Sequence, residues 1–280
     1  MNYFKTGVLL IALTLLLVWI GGTFAGESGA IFAFAMALVM NFGAYWFSDK
    51  IVLGMYRAKQ ISSDAYPEIF SIVGGIARQA ELPMPKVYIM ESGAPNAFAT
   101  GRNPKHGALC LTTGIVSLLD REELKGVIAH ELAHIKNRDT LIMTVTATIA
   151  GAIMLLANML RWGAMFGGYG RNSRERGGNA IALLGIVIVA PIAATLIQLA
   201  ISRTREYSAD KRGAQFAHNP RGLAGALSKL EQASKFGRLN ASPQTAHMFI
   251  VNPLSGDFFA SLFSTHPPIK ERIRRLLEAA

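Results

Sequence analysis

The chain has 280 residues, room for one sizeable domain or two small ones, and only 16% of them are charged, against roughly 25% in ordinary soluble domains. The formal net charge is +10, yet the basic side chains crowd beside apolar stretches: Lys50, Arg57 and Lys59; Lys136 and Arg138; Arg203, Arg205, Lys211 and Arg212. That pattern fits a lipid surface, and the absence of a basic run interleaved with aromatics argues against nucleic acid as a partner.

Cys110 is the single cysteine, which excludes an intramolecular disulfide and a thiolate metal cluster. In the apolar run Ala108-Leu109-Cys110-Leu111 it reads as a buried structural thiol.

In chain order, four apolar segments stand out: about 7–22, 29–47, 140–160 and 180–201. Each approaches the ~20 residues that cross ~30 Å of hydrocarbon at 1.5 Å per residue. The first pair is expected to form an uncleaved helical hairpin over 1–47, with Ala25-Gly26-Glu27-Ser28 as its turn. The basic residues after it place 48–139 in the cytoplasm. Arg161, Arg171, Arg174 and Arg176 lie between the third and fourth segments, which leaves open whether that second hairpin, 140–201, fully crosses. The remainder, 202–280, is expected to be helical and cytoplasmic.

Between the hairpins the sequence predicts a mixed α/β region. Ile69, Ile72, Val73 and Ile76 share one face of a helix over 66–80 that opens near Pro67. Val87–Met90 and Ala108–Leu111 read as short strands, separated by loop residues Gly93, Pro95, Gly101, Asn103 and Pro104. Asp120 followed three residues later by Glu123 is a capping box with Asp in place of Ser or Thr. It opens a helix with Leu124, Val127, Ile128 and Ile135 on its apolar face. The fold class expected is α+β and mainly helical: transmembrane helices with a small β-sheet.

That capped helix carries His130-Glu131-Leu132-Ala133-His134. Residues four apart on a helix differ by about 40° around the axis and about 6 Å along it, so both imidazoles can reach one Zn²⁺. Glu131 projects beside them as a candidate general base in metal-assisted hydrolysis. A catalytic zinc needs a third protein ligand. His106, His218, His247 and His266 are candidates, each among turn residues. Glu206-Tyr207-Ser208-Ala209-Asp210 is another: Glu206 can ligate, and Asp210, one turn on, can hold a ligand imidazole. An ordinary charged helix end explains these two acids equally well from spacing alone.

Together these residues resemble the HtpX-type membrane-bound zinc metalloproteases over nearly the whole chain. The resemblance rests on the two N-terminal apolar segments, His130–His134 followed by Asn137 and Asp139, and Glu206–Asp210. Pro95-Asn96-Ala97-Phe98-Ala99 and Thr265-His266-Pro267-Pro268 add to it. It implies a gluzincin-like endopeptidase with one catalytic Zn²⁺ per chain, multi-pass in a bacterial inner membrane. The active site would face the cytoplasm, and the substrates would be misfolded or damaged membrane proteins. It implies His130, His134 and Glu206 as ligands, Glu131 as general base and Asp210 as a support behind a ligand. Asn96, Ala97, Phe98 and Ala99 would belong to a substrate-binding edge strand. His266 has two readings, an oxyanion stabiliser or a helix-start histidine before two prolines. Arg272, Asn137 and Asp139 receive no catalytic role.

Three rival readings fit the sequence less well. A CAAX prenyl protease shares the zinc motif but typically has more membrane spans. A zinc-binding scaffold has no need of Glu131. A transporter would carry ionisable residues within its apolar segments, and these have almost none.

Overall fold

The computed structural model describes residues 2–146, 203–233, 248–250 and 267–278, and the structural statements below concern these. Helix α1 (Asn2–Met55) doubles back at Gly26, where φ is +60°, a conformation glycine adopts without Cβ strain. The two arms lie against one another: Asn41 Nδ2 donates to Thr14 Oγ1 at 2.9 Å. A Cβ on Gly21 would stand 2.4 Å from the Gly29 carbonyl oxygen, so the close approach requires glycine there. The stretch Gly26–Phe47 is long and apolar enough to cross a membrane, with a mean hydropathy of 1.7. Phe4, Ile11, Leu15, Trp19, Phe32 and Val39 point outward, uncovered by protein.

Four strands follow: β1 (Lys59–Gln60), β2 (Lys86–Met90), β3 (Ala97–Thr100) and β4 (Ala108–Thr112). Their order is β1-β2-β4-β3, with β2 parallel to β4 and β3 antiparallel to it. Sequence periodicity located β2 and β4 but not β3, where the resemblance alone implied an edge strand over Asn96–Ala99. Four residues of small and aromatic type leave no alternation to detect, and β3 is strand because β4 pairs with it, Phe98 opposite Cys110. Strand β1 is only two residues long and escapes for the same reason.

One sheet face is covered by helices. Helix α2 (Pro67–Gln79) buries Ile69, Ile72, Val73 and Ile76, as its spacing predicted. A short helix α3 (Thr113–Leu118) leads into α4 (Arg121–Asn137). The capping box is formed: Asp120 N donates to Glu123 Oε2, and Glu123 N to Asp120 Oδ1, each at 3.0 Å. Such a cap contributes about 1 kcal/mol to a helix. Val127, Ile128 and Leu132 of α4 are fully buried between the sheet and two later helices, α5 (Arg203–Ala217) and α6 (Pro220–Ala233). Helix α7 (Ile269–Glu278) packs beside α5 and α6.

The other sheet face rests on the end of α1. Val52 and Leu53 join Met90, Phe98, Ala108 and Cys110 in a second cluster, completed by Met248 and Phe249. The Arg102 guanidinium lies 4.7 Å over the Trp46 ring, tying the β3–β4 connection to the end of the apolar arm. Helix α4 does not run straight on into the third apolar segment. Arg138, in the left-handed region at φ 60°, ends it, and a new helical stretch begins at Asp139 and is described as far as 146. Apart from 140–146, the third and fourth apolar segments lie outside the described residues.

Candidate metal centre

Helix α4 is approached closely by α5 and α6 because a glycine stands at each contact, Gly213 on α5 and Gly126 on α4 facing α6. A Cβ on Gly213 would come within 2.8 Å of His130 N, and one on Gly126 within 2.6 Å of Leu223 N on α6. These contacts set the start of α5 beside the middle of α4. Among the described residues, donor atoms of His130, His134 and Glu206 gather within 4.8 Å of one another, all buried.

His130 Nε2 and His134 Nε2 face each other at 3.2 Å. Glu206 Oε2 is 3.7 Å from the first and Oε1 is 3.5 Å from the second. Tetrahedral coordination with bonds of about 2.0–2.1 Å separates ligand atoms by roughly 3.3 Å, so the three donors sit close to the spacing such an ion demands. His106 is exposed and bonded to Arg102 and Asn103, and His218 ends α5; neither joins this group. His247 and His266 lie outside the described residues, so the two readings of His266 stand as they were.

Each imidazole is held from behind by a carboxylate. Asp210 Oδ1 lies 3.0 Å from His130 Nδ1, and Asp139 Oδ2 lies 3.2 Å from His134 Nδ1. Burial lowers the His130 pKa against the pull of Asp210. For His134 burial acts in the same direction, but the Asp139 bond and the charges of Glu206 and Glu131 outweigh it and raise the pKa to about 9. Burial pushes Glu131 up to about 7, and its carboxylate accepts a hydrogen bond from the backbone N–H of Ala99.

Arg272 is the residue that sequence reasoning set aside. Fully buried on α7, it donates from Nε to Asp210 Oδ2 at 2.9 Å and from Nη2 to Oδ1 at 2.7 Å. Its Nη2 is also 3.4 Å from His130 Nε2, and its Nη1 is 3.6 Å from Glu206 Oε2. Burial opposes the Asp210 charge, yet Asp210 ends well below the carboxylate range, at about 2, because Arg272 neutralises it. A signal was available in the sequence. Ile269, Ile273 and Leu276 mark the inward face of α7, and Arg272 falls on that face at an apolar position. Asp139, five residues past His134 across a helix break, was singled out only by the resemblance, with no role attached.

The charge balance argues for a divalent cation. Among the described residues, the buried carboxylates of Glu131, Asp139, Glu206 and Asp210 face the guanidinium groups of Arg272 and, 3.9 Å from Asp139, Arg205. The acids outnumber the guanidinium groups, the same excess that raises the His134 pKa, and a dication held by two neutral imidazoles would offset it. The donor set of two nitrogens and a carboxylate suits zinc.

Comparison with known proteins agrees. Residues 63–280 match the model of peptidase family M48. The chain is 57% identical over 276 residues to a protein named protease HtpX homolog from Syntrophobacter fumaroxidans, covering 98% of both chains. A Pyrococcus furiosus protein of the same name is 53% identical over 277 residues, covering 99% of this chain and 95% of that one. The crystal structure of S. mikatae Ste24p superposes with a TM-score of 0.53 at 18% identity, over 96% of this chain and 62% of that longer one, a likeness of fold. The chain belongs to peptidase family M48 and is a metallopeptidase.

Proposed function

We propose that this protein is a membrane-embedded zinc endopeptidase that cuts polypeptides, chiefly misfolded or damaged membrane proteins, from the cytoplasmic side of a bacterial inner membrane. The observation that carries the reading is the buried convergence of His130, His134 and Glu206, with Glu131 tied to the edge strand at Ala99. In this reading His130, His134 and Glu206 are the ligands of one Zn²⁺, and Asp210 and Asp139 fix the two imidazoles. Bound there, zinc would polarise a peptide carbonyl and acidify a water.

Glu131 does the proton work. With its pKa pushed up to about 7, it can take a proton from water and return it to the departing amine near neutral pH. Asn96 to Ala99 supply the backbone edge along which an extended peptide lies. Asn96 is itself immobilised: its N–H donates to Thr112 Oγ1 at 2.8 Å, and its Oδ1 accepts from Ala97 N at 3.0 Å. The apolar hairpin and the basic residues that follow it support membrane insertion with 48–139 inside.

The reading is tested by casein hydrolysis with detergent-purified protein. Wild type is expected to cleave, while Glu131→Gln keeps its zinc and loses hydrolysis by a factor of at least about 100, the scale of general-base catalysis. Hydrolysis surviving in zinc-loaded Glu131→Gln would remove the central assignment.

A further inference from the structure

Strand β3 is the outermost strand of the sheet, and the period of two turns the main-chain groups of Ala97 and Ala99 to its open side. The chain itself already uses that side. Ile250 N donates to the Ala97 carbonyl at 3.1 Å, and the Ile250 carbonyl accepts from Arg272 Nη1 at 3.2 Å. The same guanidinium lies within 3.4 Å of His130 Nε2. The backbone of Ile250 is thus gripped by an edge strand on one side and a residue of the metal centre on the other, while its side chain is buried in the main core. Any peptide residue other than proline could make those two bonds.

The preceding side chains hold the segment down. Phe249, fully buried, packs edge-on against Phe98 of β3 and Tyr56 in the turn after α1, with ring centroids 5.3 and 5.2 Å apart. Met248 and Ile250 are 3% and 2% exposed. An aromatic residue followed by a branched aliphatic one therefore fills the space beside the edge strand.

We propose that Met248–Ile250 is a resident peptide of the substrate groove, an internal competitor that a substrate must displace from Ala97 and Arg272, and that the groove favours an aromatic–aliphatic pair at those two positions. The proposal rests on the peptidase reading for what the groove accommodates. Pairing with an exposed strand edge is a general mode of peptide recognition, and here the chain satisfies it intramolecularly, at high effective concentration.

The test uses the zinc-loaded full chain in detergent, in a Glu131→Gln background so that the probe is not consumed. The probe is a fluorescein-labelled peptide of residues 246–252, Ala-His-Met-Phe-Ile-Val-Asn, read by anisotropy. Adding Ile250→Pro removes the N–H given to Ala97, and adding Phe249→Ala removes the aromatic anchor. Either is expected to tighten probe binding about tenfold, the scale of one hydrogen bond or a partial apolar contact. In the active chain, Ile250→Pro is expected to lower KM for a peptide substrate with kcat unchanged, and unlabelled probe peptide should then inhibit competitively.

Equal affinities across the folded variants, or no binding to any of them, would overturn the proposal. So would loss of zinc or of the thermal transition in both variants, since the segment would then be a fixed wall of the fold. Failure of wild type to hydrolyse casein while the variants still bind probe more tightly would sink the peptidase reading and leave the internal occupancy standing.

Discussion

Arg272 and Asp210 form a buried two-bond pair, at 2.9 and 2.7 Å, and Asp210 in turn lies 3.0 Å from His130 Nδ1. A residue near the C-terminus therefore sets the charge state of the carboxylate behind an imidazole on α4. Breaking a buried pair by removing one partner typically costs about 3–5 kcal/mol, because the other charge is left without compensation. Arg272→Ala is expected to lower the thermal midpoint of the detergent-solubilised protein by several degrees or more. Arg272→Met with Asp210→Asn should recover much of that loss, as no charge is then stranded. A single Arg272→Ala that melts like wild type would show the pair to be unimportant for stability.

Asp139 is expected to act on metal affinity rather than on folding. Its Oδ2 is 3.2 Å from His134 Nδ1, and partners of this kind typically change metal affinity by about 10–100-fold when altered. Asp139→Asn keeps the shape of the side chain and removes its charge. Competition with a chelator of known affinity should give a zinc dissociation constant raised by roughly that factor. An unchanged constant would detach Asp139 from the metal centre.

The crossing of α5 over α4 depends on Gly213, where a Cβ would meet His130 N at 2.8 Å and His130 Cα at 2.9 Å. Both contacts are backbone, so the helices must part to admit a methyl group. Gly213→Ala is expected to cost about 1–3 kcal/mol by overpacking and to move Glu206 away from the two imidazoles. Zinc content should fall with stability. The comparison is Gly75→Ala on α2, where nothing lies within 4 Å of the added carbon, and where both should hold.

Burial raises the Cys110 thiol to about 12 from an ordinary 9.0. Little thiolate exists at pH 8, so iodoacetamide should modify the native protein slowly and the unfolded protein fast. The sign of the pH dependence follows. The folded state keeps its thiol proton where the unfolded state has lost it, so this contribution to stability is intact below about pH 9 and falls between about 9 and about 12. Rapid alkylation of native protein at pH 8 would contradict the burial of Cys110.

The legible parts were those written in local spacing. Asp120 with Glu123 announced the start of α4, the interval from His130 to His134 put two imidazoles on one face, and Ile69 to Ile76 outlined α2. Glu206 was legible only as a candidate, since a charged helix end explains the same residues until α5 is laid across α4. What brings it there is Gly213, and a glycine inside a helix gives no hint in sequence of the backbone it will meet. Strand β3 was invisible to periodicity, because its identity comes from pairing with β4, and only the resemblance pointed to an edge strand there. Arg272 was visible as a charge on an apolar face, but its partner Asp210 lies 62 positions away and is known only from the packing of α7 against α5.

The central claim is that His130, His134 and Glu206 hold one catalytic zinc, and the zinc content of purified Glu206→Ala against wild type tests it most directly. About one zinc per chain is expected in wild type, with most of it lost in Glu206→Ala while the thermal transition persists. Full zinc occupancy in Glu206→Ala would contradict the claim and move the third ligand elsewhere.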